Sequence, residues 1–222
     1  MARPTKGYFA ADGARVPSVT EVLDRFKPSG GLIHWAWKEG MAGRDYNATR
    51  DAAANAGKLA HSWIEATVAG VAFPIPIETD PDVYLKAQQA HANFVKWYAK
   101  SGLTIVDTER PLVSEAHRFG GTYDAVATKK STRNGKTKII ALDFKTSNRI
   151  YHEHLYQVAA YGLLMLECTS YGWPDEYHIF QMDKEKAVFK HKVYKDLTRE
   201  REAFLKLREA FGLVKECEGR KL

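Results

Sequence analysis

The chain carries only two cysteines in 222 residues, Cys168 and Cys217, and they form no CxxC pair. A cysteine-held zinc or iron–sulfur centre is therefore excluded unless a second chain supplies ligands, and a reducing compartment is the simple expectation. No run of about 18 apolar residues occurs, so neither a transmembrane helix nor a membrane partner is expected. The opening Met1-Ala2-Arg3-Pro4-Thr5-Lys6 lacks the apolar stretch of a secretory signal, which points to a cytoplasmic, non-secreted protein. The phosphate-cradling GxxxxGK[ST] loop is missing as well, so no fused helicase motor and no nucleotide cofactor are expected. Repeats and low-complexity linkers are missing too.

What is there is a globular composition. Hydrophobic residues make up 45% and charged residues 27%, which rules out whole-chain disorder, collagen or a coiled-coil rod. At about 150 residues per domain, the length predicts one elaborated domain over 1–222, able to bury roughly 70% of its unfolded surface. Lys and Arg number 33 against 27 Asp and Glu, a net charge of +6. That balance permits an acidic partner such as nucleic acid without requiring one.

Patterning divides the chain into a mainly helical part, 1–102, and a sheet-containing part with a C-terminal helix, 103–222. Ser18-Val19-Thr20-Glu21 is a capping box and predicts a helix to about Phe26. Leu32 to Glu39 and Ala42 to about Ala69 read as helices, the latter broken by Pro74 and Pro76. Asp80-Pro81 caps a further helix to about Lys100, stopped by Gly102. Thr104 to Glu115, Gly121 to Lys129 and Thr137 to Lys145 read as strands, the last two joined at the Asn134-Gly135 turn. The apolar run Ile139-Ile140-Ala141-Leu142 predicts a central strand. A helix over Ile150 to Glu167, strands over Glu176 to Met182 and Ala187 to Tyr194, and a helix over Leu197 to about Glu216 complete the pattern. The expected class is α/β or α+β, a mixed sheet flanked by helices with a helical N-terminal elaboration.

Four short segments carry chemistry. In Asp143-Phe144-Lys145, period-2 alternation sends the carboxylate and the ammonium to one face of a strand end. Such a pair suits metal-assisted phosphodiester hydrolysis, though an ordinary strand-end ion pair has the same pattern. Asp124, at the start of the preceding strand in Phe119-Gly120-Gly121-Thr122-Tyr123-Asp124, comes beside Asp143 if the hairpin forms. Two carboxylates so close call for a cation between them. His61 and Glu65, four apart, share a helix face, as do Gln157 and Tyr161. Imidazole with carboxylates suits Mg²⁺ or Mn²⁺.

Taken in order, helix His, Gly-x-x-Asp, Asp-x-Lys and Gln-x-x-x-Tyr, residues 57–161 resemble the RecB-type, phage exonuclease-like branch of the PD-(D/E)XK nuclease superfamily. Pro17-Ser18-Val19-Thr20-Glu21-Val22-Leu23 adds a general likeness at the start. The resemblance implies a restriction-endonuclease-like core. It implies metal ligation by His61, Asp124, Asp143 and the Phe144 backbone carbonyl, with Mg²⁺ or Mn²⁺ as the ion. It implies Lys145 as the catalytic lysine, supported by Gln157 and Tyr161. The expected activity is hydrolysis of DNA, by an exonuclease on linear or single-stranded DNA. A structure-specific endonuclease and a non-catalytic DNA-binding or assembly module are the alternatives. The resemblance also suggests a prokaryotic or phage-infected cell and a recombination or replication protein as partner; ring oligomers occur among some relatives, while no segment of this sequence specifies such an interface.

Glu65 and Glu109 are further candidates for the acidic site, with a solvated carboxylate as the plainer reading of each. The basic hairpin tip, with Lys129, Lys130, Arg133 and Lys136, suits either phosphate contacts or simple solvation. The aromatic set Trp35, Trp37, Tyr46 and Trp63 suits core packing or base stacking. His152-Glu153-His154 is not HExxH, and adjacent helix positions face different ways.

Overall fold

The computed structural model describes residues 4–73, 75, 76, 78–131 and 135–219. A two-residue hairpin, β1 (Tyr8–Phe9) and β2 (Arg15–Val16), comes first and was not expected from the sequence pattern. Next is α1 (Val19–Arg25), whose capping box is formed: Ser18 accepts from Glu21 N–H, and Glu21 accepts from Ser18 N–H. α2 (Gly30–Met41) and α3 (Tyr46–Ala69) are parted by Gly43, at φ +68°, and by Asp45, which caps α3. That break moves the start of α3 from the expected Ala42 to Tyr46. α4 (Pro81–Ser101) takes its cap from Asp80 and ends at Gly102, at φ +66°.

The five-stranded sheet runs in the order β3 (Thr104–Ser114), β4 (Phe119–Lys130), β5 (Thr137–Lys145), β6 (Glu176–Met182), β7 (Phe189–Tyr194). Only β5 and β6 are parallel, joined across α5 (His152–Cys168). The remaining neighbours are antiparallel. The chain closes with α6 (Thr198–Glu218). β7 starts two residues later than expected because Asp183 accepts from the N–H groups of Glu185 and Lys186 in the preceding turn. The Thr132–Asn134 part of the β4–β5 turn, with Arg133, lies outside the described residues.

A mixed sheet with helices on both faces divides the core in two. Val126, Ala141, Tyr177 and Ile179 face α1, α5 and α6. Ala125, Ala127, Ile140, Leu142, Phe144 and Phe180 face α3 and α4, where Phe94 and Trp97 of α4 meet them. The Trp97 and Phe180 rings stack with centroids 4.1 Å apart. Burial on both faces explains why β5 reads as a continuous apolar run. Among the described residues, no helix is long and apolar enough to cross a membrane.

At the β6–β7 edge a polar chain crosses this core. Trp97 Nε1–H can only donate, so His191 Nδ1, 3.2 Å away, is the acceptor. The neutral His191 proton is then on Nε2, 3.1 Å from His178 Nδ1, and His178 Nε2–H faces Glu176 at 3.2 Å. Lys138 pairs with the other Glu176 oxygen. One indole thus sets both tautomers. Burial, with the charges of His178 and Lys129, pushes the His191 pKa down to about 4. A depressed histidine pKa removes stability as pH falls from the unfolded value, 6.5, towards 4. Urea midpoints are expected to drop over that interval. His191→Gln, which keeps an acceptor for Trp97 but cannot titrate there, is expected to flatten the drop; an unchanged slope would place the acid sensitivity elsewhere.

Candidate metal centre

The site forms where β4 and β5 part. Their paired register ends at Ala125↔Leu142. Just beyond it, Phe144, two residues after Leu142, donates its N–H to Asp124 Oδ2, one residue before Ala125, at 2.8 Å in a buried bond. The other oxygen, Asp124 Oδ1, lies 3.8 Å from His61 Nδ1. On the far side of β4, the pairs Thr108↔Ala125 and Arg110↔Tyr123 bracket Glu109 opposite Asp124. Glu109 Oε1 lies 3.7 Å from the same imidazole nitrogen. Glu109, Asp124 and Asp143 thus occupy one row across three neighbouring strands, about 4.8 Å apart.

Donor atoms of His61, Glu109 and Asp124 all lie within 4.8 Å of one another. Their side-chain exposures are 20%, 13% and 2%, so the group has a buried floor and a wet mouth. Glu109 has φ +46° in mid-strand, a left-handed conformation that costs a non-glycine residue about 1–2 kcal/mol. The register slips just upstream, between Ile105 and Asp107.

Asp143 stands outside that trio. It is fully buried, and its Oδ1 accepts from Lys145 Nζ at 2.7 Å. Its Oδ2 is 2.6 Å from the same nitrogen, but at an angle that makes no hydrogen bond, and it has no other partner. Two distances thus describe one ion pair with a single directed bond. Burial, and secondarily the Asp124 charge, push the Asp143 pKa up to about 6 against the pull of Lys145 and His61. A buried carboxylate oxygen without a hydrogen bond is uncommon and requires a reason. The Lys145 ammonium already gives this oxygen a countercharge; at the neighbouring trio, nitrogen with carboxylate oxygens is a fitting donor set for a cation. His61, Glu109 and Asp124 would hold the ion, with the Lys145-paired carboxylate of Asp143 beside them.

Two glycines allow the helices to come this close. A Cβ on Gly57 would lie 2.8 Å from Thr146 Oγ1, so α3 lies directly on the segment after Lys145, one turn before His61. His61 packs edge-on to Phe144, centroids 6.1 Å apart. A Cβ on Gly121 would meet the Tyr161 ring at 2.9 Å, which lets α5 settle on β4. Gln157 Nε2 donates to Tyr161 Oη at 2.8 Å, so those two are joined to each other. In the first turn of α5, burial and the Lys145 charge lower the His154 pKa to about 4, and its Nδ1 accepts from Tyr151 N–H.

The other candidates are dispersed. Glu65, one turn beyond His61, is not in the converging trio. Lys129 and Lys130 are five and six residues along β4 from Asp124, about 17–20 Å at 3.3 Å per residue. Lys129 Nζ donates to Ser101 O at the C-terminal end of α4. Trp63 is core, and Trp35 packs on Tyr46, whereas Trp37 is exposed.

No protein-family model matches the chain, and no curated protein matches it. Among solved structures it is similar to one described as "Crystal structure of SSO0001", at 15% identity and TM-score 0.37. The match covers 60% of this chain and spans only 61% of that one.

Two measurements check the centre. A divalent ion at 100 times its dissociation constant stabilises by about 2.7 kcal/mol, or roughly 5–10 °C for a chain of this size. Mn²⁺ is expected to raise the melting midpoint by that order, and His61→Ala or Glu109→Gln to abolish most of the rise. In EDTA the raised Asp143 pKa means that ionising this buried carboxyl costs the fold stability as pH rises through about 6. That cost disappears below pH 3.8. Asp143→Asn still accepts from Lys145, so it is expected to raise the stability of the metal-free protein at pH 7.5 and to have little effect at pH 4. Urea denaturation at the two pH values reads the difference.

Proposed function

We propose that the chain is a metal-dependent deoxyribonuclease with a restriction-endonuclease-like core, acting as an exonuclease on linear DNA. One observation carries the reading: Asp143 is buried with an oxygen that accepts no hydrogen bond, paired with Lys145, beside the trio His61, Glu109 and Asp124. A single acid–lysine pair is an ordinary strand end, but three carboxylates in one row, with an imidazole over them, repel one another unless a cation is bound.

Mg²⁺ or Mn²⁺ at His61, Glu109 and Asp124 would lower the pKa of a bound water and offset charge on the scissile phosphate. The chain's own residues do the rest. Lys145 Nζ, oriented by Asp143, presents a fixed positive charge where the phosphate gains negative charge. Asp124 is aimed by the Phe144 N–H, so its orientation needs no rearrangement on binding. Gln157 and Tyr161 brace the α5 side. In this reading Glu109 takes a ligand position that the resemblance gives to Asp143, and Asp143 acts chiefly on Lys145.

End-labelled linear single strands, linear duplex and closed single-stranded circles, each with Mg²⁺, Mn²⁺ or EDTA, test the reading. Wild type is expected to shorten linear DNA only with metal and to spare circles. Lys145→Ala should lower the rate at least about 10²-fold while keeping the Mn²⁺-induced stabilisation. Cut circles would make the protein an endonuclease with the same site. DNA binding without cutting under any of these metals would defeat the enzyme reading.

A further inference from the structure

Beyond Lys145 the chain runs through Thr146, Ser147 and Asn148 into an open cavity of about 820 Å³ between the end of α1, the start of α5 and α6. That volume is within the roughly 300–1,000 Å³ typical of small-ligand sites. Its floor is apolar, with Phe26, Ile150, Tyr156 and Leu207. Its rim is cationic and aromatic. The Arg149 guanidinium is 4.6 Å from the Tyr151 ring centroid, and Lys27 Nζ is 6.0 Å from it. Tyr151 Oη donates to Asn148, which holds the ring in place. Lys27 is also 3.0 Å from Glu153, so the one carboxylate of the rim is already paired. Lys206 also lines the cavity, its ammonium paired with Glu209 at 3.0 Å.

We propose that this cavity binds an unpaired nucleotide of the DNA strand, its base on the Tyr151–Arg149 platform and its phosphate at the cationic rim. The site rests on the nuclease reading and names where the substrate strand lies in it. Charge complementarity selects the occupant: a flat apolar base fits the floor, and a phosphate fits the Arg149 guanidinium, flanked by Lys27 and Lys206 in their pairs with Glu153 and Glu209. Position agrees. Arg149 is four residues from Lys145, at most about 14 Å of extended chain. At 3.4 Å per nucleotide of a stacked strand, the base is within about four positions of the cut. The Tyr151 backbone N–H also donates to His154 Nδ1, anchoring the platform to the first turn of α5.

The test compares a fluorescent 12-residue oligothymidylate with a 12-residue abasic chain, by anisotropy in EDTA, alongside cleavage of both with Mn²⁺. Wild type is expected to prefer the base-bearing chain by about 5- to 100-fold. Tyr151→Ala should remove most of that preference, and Tyr151→Phe should keep it. Arg149→Ala, at an exposed position that does not threaten folding, should weaken both chains and reduce the preference. An unchanged preference in both Tyr151→Ala and Arg149→Ala overturns the site, as does a wild type that binds neither chain. If cleavage occurs but the preference ignores Tyr151, the site fails and the nuclease reading stands. If the preference follows Tyr151 but no metal supports cleavage, the nuclease reading fails and the site stands.

Discussion

The Phe144 N–H bonded to Asp124 Oδ2 is the constraint on which the centre depends. In an uninterrupted antiparallel ladder that donor would meet a carbonyl, and the strands would stay closed. Here a side chain takes the donor, so β4 and β5 part without leaving it unmet. The parting aims one Asp124 oxygen at the backbone and the other at His61. It also keeps Asp124 close enough to Asp143 to raise the latter's pKa. One hydrogen bond therefore couples the end of the sheet pairing to the electrostatics of the site.

Around that point the fold accepts conditions that work against stability. The Asp143 carboxyl has no exposure and one oxygen outside any hydrogen bond. Glu109 holds a left-handed backbone inside a strand. Each costs of order a kcal/mol or more, and both lie within one row of the sheet. The surrounding structure is well able to hold them. Aromatic and aliphatic side chains fill both faces, and α3 and α5 approach through Gly57 and Gly121. Backbone strain and titratable groups are thus gathered in one row of the sheet.

Most of the architecture was legible in local signals. The capping box at Ser18, the Asp80-Pro81 start, the glycine stop at Gly102 and the apolar run in β5 each act over a few residues, and each element formed where they pointed. Boundaries moved where a side chain competed with the backbone, as Asp45 did at α3 and Asp183 before β7. The β1–β2 hairpin escaped notice because two-residue strands leave no period to read. His178 and His191 are thirteen residues apart and show no motif; only the β6–β7 register makes them neighbours.

The candidate site divides along the same line. By itself the sequence determined which residue types were available: period-2 alternation put Asp143 and Lys145 on one face, and the hairpin turned Asp124 towards them. Those are short-range consequences of backbone geometry. Tertiary structure alone decided the partners. Strand parity could have placed Glu109 opposite Asp124, but the slip between Ile105 and Asp107 lies in packing, not in any local pattern. The same holds for Gly57, an unremarkable helix glycine until Thr146 lies on it. Register and helix approach are settled by contacts between segments distant in the chain, so the convergence of His61, Glu109 and Asp124 exists only once the sheet and its two helical layers have assembled.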